Sequence, residues 1–63
     1  MTLNPLSDTQ WIDIYVINQI HGFCYESDFL ECYELAQQLL LDPMLSWQTI
    51  KVVIREHLKH KYD

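Results

Sequence analysis

The chain has 63 residues, of which 49% are hydrophobic and 21% are charged. A chain of this length forms one domain at most and buries only about 60% of the surface that its unfolded form exposes. The apolar fraction excludes a disordered tail. The longest apolar run has four residues, Ile14 to Ile17, which is too short to span a bilayer. Residues 1–11 contain no Lys or Arg and do not resemble a secretory signal, so we expect a single cytoplasmic domain over residues 1–63.

The first predicted element is a helix over residues 8–20. Ser7 and Gln10 have the spacing of a capping box, in which each side chain bonds the other residue's backbone N–H. Gly22 can end the helix in a left-handed conformation. The interior is rich in β-branched and aromatic residues, which favour strands. A short hairpin that pairs residues 11–17 with residues 23–25 is therefore the alternative.

Two amphipathic helices follow, over residues 28–41 and 47–61. Ser27 is the expected N-cap of the first, and Pro43 helps to end it. Ser46 is the expected N-cap of the second, in which apolar residues recur at helical spacing as far as Leu58. The sequence therefore predicts an all-α fold, a small three-helix domain that dimerisation would complete. An α+β fold with an N-terminal hairpin is the alternative.

The first helix is apolar almost all round. On a helical wheel its large apolar side chains cover nearly the full circle: Trp11, Ile12, Ile14, Tyr15, Val16, Ile17 and Ile20. Two amphipathic helices cannot enclose such a helix completely. We therefore expect part of the set Trp11, Ile12, Tyr15 and Val16 to stay exposed in a single copy, unless loop residues Leu3, Leu6, Phe23 and Tyr25 cover it. An exposed apolar patch of this size marks an interface.

Charge is distributed unevenly within a net charge of −5. Residues 1–50 contain seven acids and no Lys or Arg, whereas residues 51–63 contain two acids and all four bases, Lys51, Arg55, Lys59 and Lys61. Either the basic segment pairs internally with an acidic neighbouring helix, or the acidic region attracts a basic partner.

The predicted function is that of a non-enzymatic, acidic protein–protein interaction module. An adaptor, an inhibitor or a small regulatory subunit would dock a partner, or a second copy as a homodimer, through the first helix. The expected anchor consists of Trp11, Ile12, Tyr15 and Val16, because buried aromatic and apolar side chains dominate interface energies. Glu31 and Glu34 are expected to form an acidic rim that speeds encounter with a basic surface.

A small DNA-binding regulator is the alternative function. The second and third predicted helices resemble a helix-turn-helix, and Lys51, Arg55 and Lys59 recur every four residues, as a phosphate-contacting row would. However, the connection from Leu41 to Ser46 is long and contains no glycine, and the chain is acidic overall. Affinity for DNA depends on positive charge, so nucleic acid is not the favoured partner.

We expect no catalysis, no metal and no cofactor. Five side chains are potential zinc ligands: His21, Cys24, Cys32, His57 and His60. Cys24 and Cys32 lie too far apart for a zinc knuckle, and they are expected to be reduced thiols. No nucleophile motif is present, and one glycine in the chain excludes a glycine-rich phosphate loop.

Overall fold

The computed structural model describes residues 5–21 and 25–62. The described residues form three helices: α1 (Asp8–His21), α2 (Glu26–Leu39) and α3 (Trp47–Tyr62). The described part of the chain is all-α, as predicted, and residues 11–17 lie within α1. Each helix contacts the other two. None of the described helices is long and apolar enough to cross a membrane.

Side-chain caps start α1 and α3 where the sequence predicts them. The Ser7 backbone N–H donates to Gln10 Oε1 at 3.0 Å, and the Gln10 N–H donates to Ser7 Oγ at 3.3 Å. These two bonds complete the predicted capping box. At α3, the Thr49 N–H donates to Ser46 Oγ at 3.2 Å. Each bond satisfies an N–H group that has no partner within its own helix. The predicted end of the first helix at Gly22 lies outside the described residues.

α2 begins and ends two residues before the predicted range of 28–41. Its first helical residue is Glu26, and its N-cap residue is Tyr25, whose side chain makes no capping bond. The prediction of Ser27 as N-cap is therefore wrong. The helix ends at Leu39 because the backbone hydrogen bonds that follow span three residues instead of four. The backbone N–H groups of residues 41 and 42 donate to carbonyls three residues back, each at 3.1 Å, as in the last turn of many helices.

The core takes one apolar stripe from each helix. Its buried side chains are Leu6, Ile14, Ile17, Cys32, Ala36, Ile50, Ile54 and Leu58. The α3 stripe recurs every four residues, so that Ile50, Ile54 and Leu58 point to one side and have no exposed surface. Burying each such side chain stabilises the fold by about 1.5–3 kcal/mol.

Polar contacts fix α3 against both other helices. Asp13 on α1 accepts a hydrogen bond from Trp47 Nε1 at 2.8 Å and lies 3.8 Å from Lys51 Nζ. Near the end of α3, Lys61 Nζ lies 2.8 Å from Asp28 and 2.6 Å from Glu31, both on α2. The predicted internal pairing between the basic segment and an acidic neighbouring helix is therefore confirmed.

Candidate interaction surface

The outer side of α1 is apolar and faces solvent. Five large apolar side chains there are exposed: Trp11 (39%), Ile12 (47%), Tyr15 (50%), Val16 (46%) and Ile20 (68%). We call these five residues the α1 face. The sequence predicts exposure within the first four of them, and the structure confirms it. Ile20 extends the patch by a further turn of the helix.

Helical geometry places these side chains together. Ile12, Val16 and Ile20 form one row at four-residue spacing, and Trp11 and Tyr15 form the row beside it. α2 and α3 pack against the opposite side of α1, which carries the buried Ile14, Ile17 and Asn18.

The exposure of the α1 face is energetically large for so small a domain. The exposed fractions of its five side chains together equal about two and a half fully exposed ones. Covering them would contribute about 4–7 kcal/mol. A 63-residue domain is itself stable by only about 3–9 kcal/mol, so the two quantities are of similar size.

An aromatic groove of about 360 Å³ lies between α1 and the start of α2. It is lined by Trp11, Tyr15, Asn18, Gln19, Tyr25, Glu26 and Phe29. The Tyr15 ring meets the Phe29 ring edge-on with centroids 6.3 Å apart, and Phe29 packs at 5.9 Å against Tyr33. The Tyr33 hydroxyl also accepts the Leu6 backbone N–H at 2.9 Å. Because these contacts fix the rings, the wall of the groove exists before any partner arrives.

Asn18 is a buried polar residue at this groove that the sequence pattern did not predict. Its side chain is 3% exposed, and Nδ2 donates to the Ile14 carbonyl at 2.9 Å, whereas Oδ1 has no hydrogen-bond partner. An unpaired buried acceptor costs about 1–3 kcal/mol. Burial raises the pKa of the adjacent Cys32 thiol, although a hydrogen bond from Asn18 lowers it in part. A thiol in this state is chemically inert.

A smaller groove of about 200 Å³ lies on the other side of α1, against α3. Its lining mixes apolar and charged residues: Asp13, Val16, Ile17, Ile20, His21, Lys51 and Arg55. Lys51 is already paired with Asp13, whereas Arg55 makes no ion pair within the described part of the chain. The α1 face therefore has an acidic edge at Glu26 and a basic edge at Arg55.

Glu31, one half of the expected acidic rim, has an internal role. Its carboxylate lies 2.6 Å from Lys61 Nζ and 2.9 Å from His57 Nε2. Hydrogen bonds from Lys61 and then His57 hold the pKa of Glu31 below its ordinary value. Glu34 is exposed and makes no ion pair with another described residue. Neither glutamate lines the grooves beside α1, so the structure does not bring the two together at the α1 face.

Asp28 completes the contact between α2 and α3. It is only 2% exposed, and its carboxylate accepts hydrogen bonds from Lys61 Nζ and from the Tyr62 hydroxyl. The hydrogen bond from Lys61 has the larger effect and that from Tyr62 the smaller one, and both lower the pKa of Asp28. In turn, the hydrogen bond to the Asp28 carboxylate raises the pKa of Tyr62 to about 12. Both carboxylate oxygens of Asp28, the Lys61 ammonium group and the Tyr62 hydroxyl are hydrogen-bonded within this cluster. Such mutual bonding is typical of a structural network.

The row of Lys51, Arg55 and Lys59 carries less free charge than the sequence suggests. Lys51 pairs with Asp13 at 3.8 Å, and Lys59 pairs with Glu56 on its own helix at 3.7 Å. DNA affinity depends on cations that can replace counterions at phosphates. Within the described residues, Arg55 is the member of this row without an ion pair, so the row offers phosphates one free cation instead of three.

Within residues 5–21 and 25–62, no group of three or more His, Cys, Asp and Glu side chains is placed to hold a metal ion. Of the potential zinc ligands, His57 lies against Glu31, His60 lies 4.0 Å from Glu56, and Cys32 is buried as a free thiol. Cys24 lies outside the described residues. In the comparisons with known proteins, the chain matches no protein family, no curated protein and no solved structure.

Proposed function

We propose that the protein is a non-enzymatic interaction module that docks another polypeptide through the α1 face. The observation that carries this proposal is the exposure of five large apolar side chains on one side of one helix. Patches of this kind on small domains are interaction sites. A partner that covers the face recovers hydrophobic free energy that the fold itself cannot obtain.

Trp11 and Tyr15 are the proposed anchors, with Ile12 and Val16 beside them. Aromatic side chains are over-represented among the few residues that dominate interface energies. Removing one anchor is expected to weaken binding by about 1–2 kcal/mol or more, which is about 5- to 30-fold in the dissociation constant.

A protein of this kind acts as an adaptor, an inhibitor or a small regulatory subunit, since it binds without chemistry of its own. A homodimer would use the same face. We place the protein in the cytoplasm, where a reduced thiol such as that of Cys32 persists.

Site-specific photo-crosslinking in living cells tests this proposal. A photoreactive phenylalanine analogue is introduced at Tyr15 or at Val16, and as a matched control at Met44, which is 87% exposed between α2 and α3. We expect discrete crosslinked products from the two α1 positions and none from Met44. The same products at all three positions, or no product from α1, would contradict the proposal. Mass spectrometry of the products separates a second copy from another protein.

A further inference from the structure

We propose that the aromatic groove between α1 and α2 receives an arginine side chain from a basic segment of the partner protein. The inference rests on the proposed function and adds the chemistry of the partner at the same surface. Three properties of the groove support it: its aromatic wall, its two unpaired oxygen acceptors and the charge of the surface around it.

The wall of the groove suits a flat cation. Trp11, Tyr15 and Phe29 present aromatic rings around a space of about 360 Å³, and the contact between Tyr15 and Phe29 fixes two of them. A guanidinium group is planar and weakly hydrated, so it stacks on aromatic faces more readily than an ammonium group does. The rings therefore favour arginine over lysine.

Two side-chain oxygens at the groove have no partner in the described part of the chain. Glu26 is exposed at its rim and makes no ion pair with any other described residue. Asn18 Oδ1 is buried and has no hydrogen-bond partner among the described residues, while Nδ2 donates to the Ile14 carbonyl. A guanidinium carries several N–H donors in a planar fork, so one group can donate to more than one oxygen. An apolar side chain would leave the buried Asn18 Oδ1 unpaired. Because Asn18 Oδ1 is closed to solvent in the free chain, binding includes a rotation of side chains at the groove, as is common at interfaces.

The charge balance favours a basic partner over a second copy. Within the described ranges, Lys51, Lys59 and Lys61 are paired with acids, and Arg55 is the base without an ion pair. On the acidic side, Asp8, Glu26, Glu34 and Asp42 have no such pairing. Two copies, each with a net charge of −5, repel one another, whereas a basic segment is attracted.

The test titrates a short probe into the full-length ¹⁵N-labelled chain. The probe is the capped pentapeptide Ala-Leu-Arg-Leu-Ala, and its control carries citrulline, a neutral residue of the same shape, in place of arginine. The indole N–H signal of Trp11 reports on the groove, and that of Trp47, which is bonded to Asp13, is the internal reference. We expect saturable shifts of the Trp11 signal, with the citrulline peptide about fivefold weaker or more.

Two variants locate the effect. Glu26→Gln is expected to weaken the arginine peptide by about three- to tenfold, because a charge-assisted bond is lost. Glu34→Gln removes an equal charge from another part of α2 and is expected to change affinity less than about twofold. Circular dichroism confirms that both variants stay folded. Equal losses in the two variants would show general charge attraction and overturn the proposal, as would equal binding of the two peptides or no binding of the arginine peptide.

Arg55 of a second copy is the other arginine that could fill the aromatic groove. Sedimentation equilibrium of the wild type and of Arg55→Gln tests whether it does so. A wild-type dimer that Arg55→Gln abolishes and that the arginine peptide dissociates would overturn the assignment to a partner protein.

If crosslinks form at Tyr15 but the arginine peptide does not bind, the interaction module stands and the arginine site fails. If the peptide binds but no crosslinks form at α1, the proposed function fails instead.

Discussion

Two isoleucines on α1 allow the exposure of its outer side to be measured as a stability difference. Ile14 has no exposed surface and belongs to the core, whereas Ile12, on the α1 face, is 47% exposed. Changing each to alanine removes the same atoms and alters the helix propensity by the same amount. The difference between the two variants therefore reports on burial alone.

The structure gives an expected magnitude for each change. Ile14→Ala removes buried groups and leaves a cavity among core side chains, which costs about 2–5 kcal/mol. Ile12→Ala removes groups that are about half in water and leaves no enclosed cavity. At about 0.8 kcal/mol for each fully buried methylene, it costs about 1 kcal/mol, and the better helix propensity of alanine offsets part of this.

Urea unfolding followed by circular dichroism measures both values at a protein concentration for which sedimentation equilibrium finds a monomer. We expect a large drop in the midpoint for Ile14→Ala, a small one for Ile12→Ala, and similar slopes for both. Equal costs would refute the reasoning, because they would mean that Ile12 is covered within a single chain.

Three further outcomes follow from the buried polar groups. Asn18→Leu removes an unpaired acceptor from the interior and is expected to raise the free energy of unfolding by about 1 kcal/mol in urea titrations; a loss of stability would show that the amide is satisfied in solution. Because Lys61 lowers the pKa of Asp28, the stability due to this pair is present above pH 3.8, the ordinary value for the carboxyl, and falls as the pH drops below it. Lys61→Met should therefore be less stable than wild type at pH 7 and show a weaker acid dependence of its melting temperature, whereas Lys59→Met, which loses only an exposed pair, should match wild type within about 1 kcal/mol. Iodoacetamide should alkylate Cys32 at the rate of chain opening, as followed by mass spectrometry, because the thiol is buried and its pKa is raised; alkylation as fast as that of a free thiol would contradict its burial.

Local interactions made much of the fold predictable. The bonds between Ser7 and Gln10, and between Ser46 and Thr49, join residues three positions apart, so the starts of α1 and α3 are readable from short motifs. The exposure on α1 was also predictable, because this helix carries more large apolar side chains than two amphipathic helices can cover.

Long-range contacts determine the roles of Asp28 and Glu31, which the sequence pattern did not predict. Asp28 is buried and binds Lys61 and Tyr62, which lie 33 and 34 positions away. Glu31 was expected to be free for a partner and instead meets α3 at residues 57 and 61. Such pairings depend on how α2 and α3 lie together, which no spacing within one helix reveals.

The grooves beside α1 were unpredictable for the same reason. The aromatic groove combines side chains from α1 and from the start of α2, and its position depends on the packing of those two helices. The apolar pattern of α1 predicted Trp11 and Tyr15. The sequence contains no signal for Glu26 or for the buried Asn18, since a polar residue on a mostly apolar helix usually lies at the surface.

We propose that another polypeptide covers the α1 face in the cell. Hydroxyl-radical footprinting tests it most directly, by comparing oxidation of Trp11 and Tyr15 in living cells with that in the dilute purified chain. Met44, which is 87% exposed and lies away from α1, corrects for radical dose. We predict that oxidation of Trp11 and Tyr15 falls several-fold in cells while that of Met44 is unchanged. Equal oxidation of both aromatic residues in cells and in the purified chain would contradict the claim.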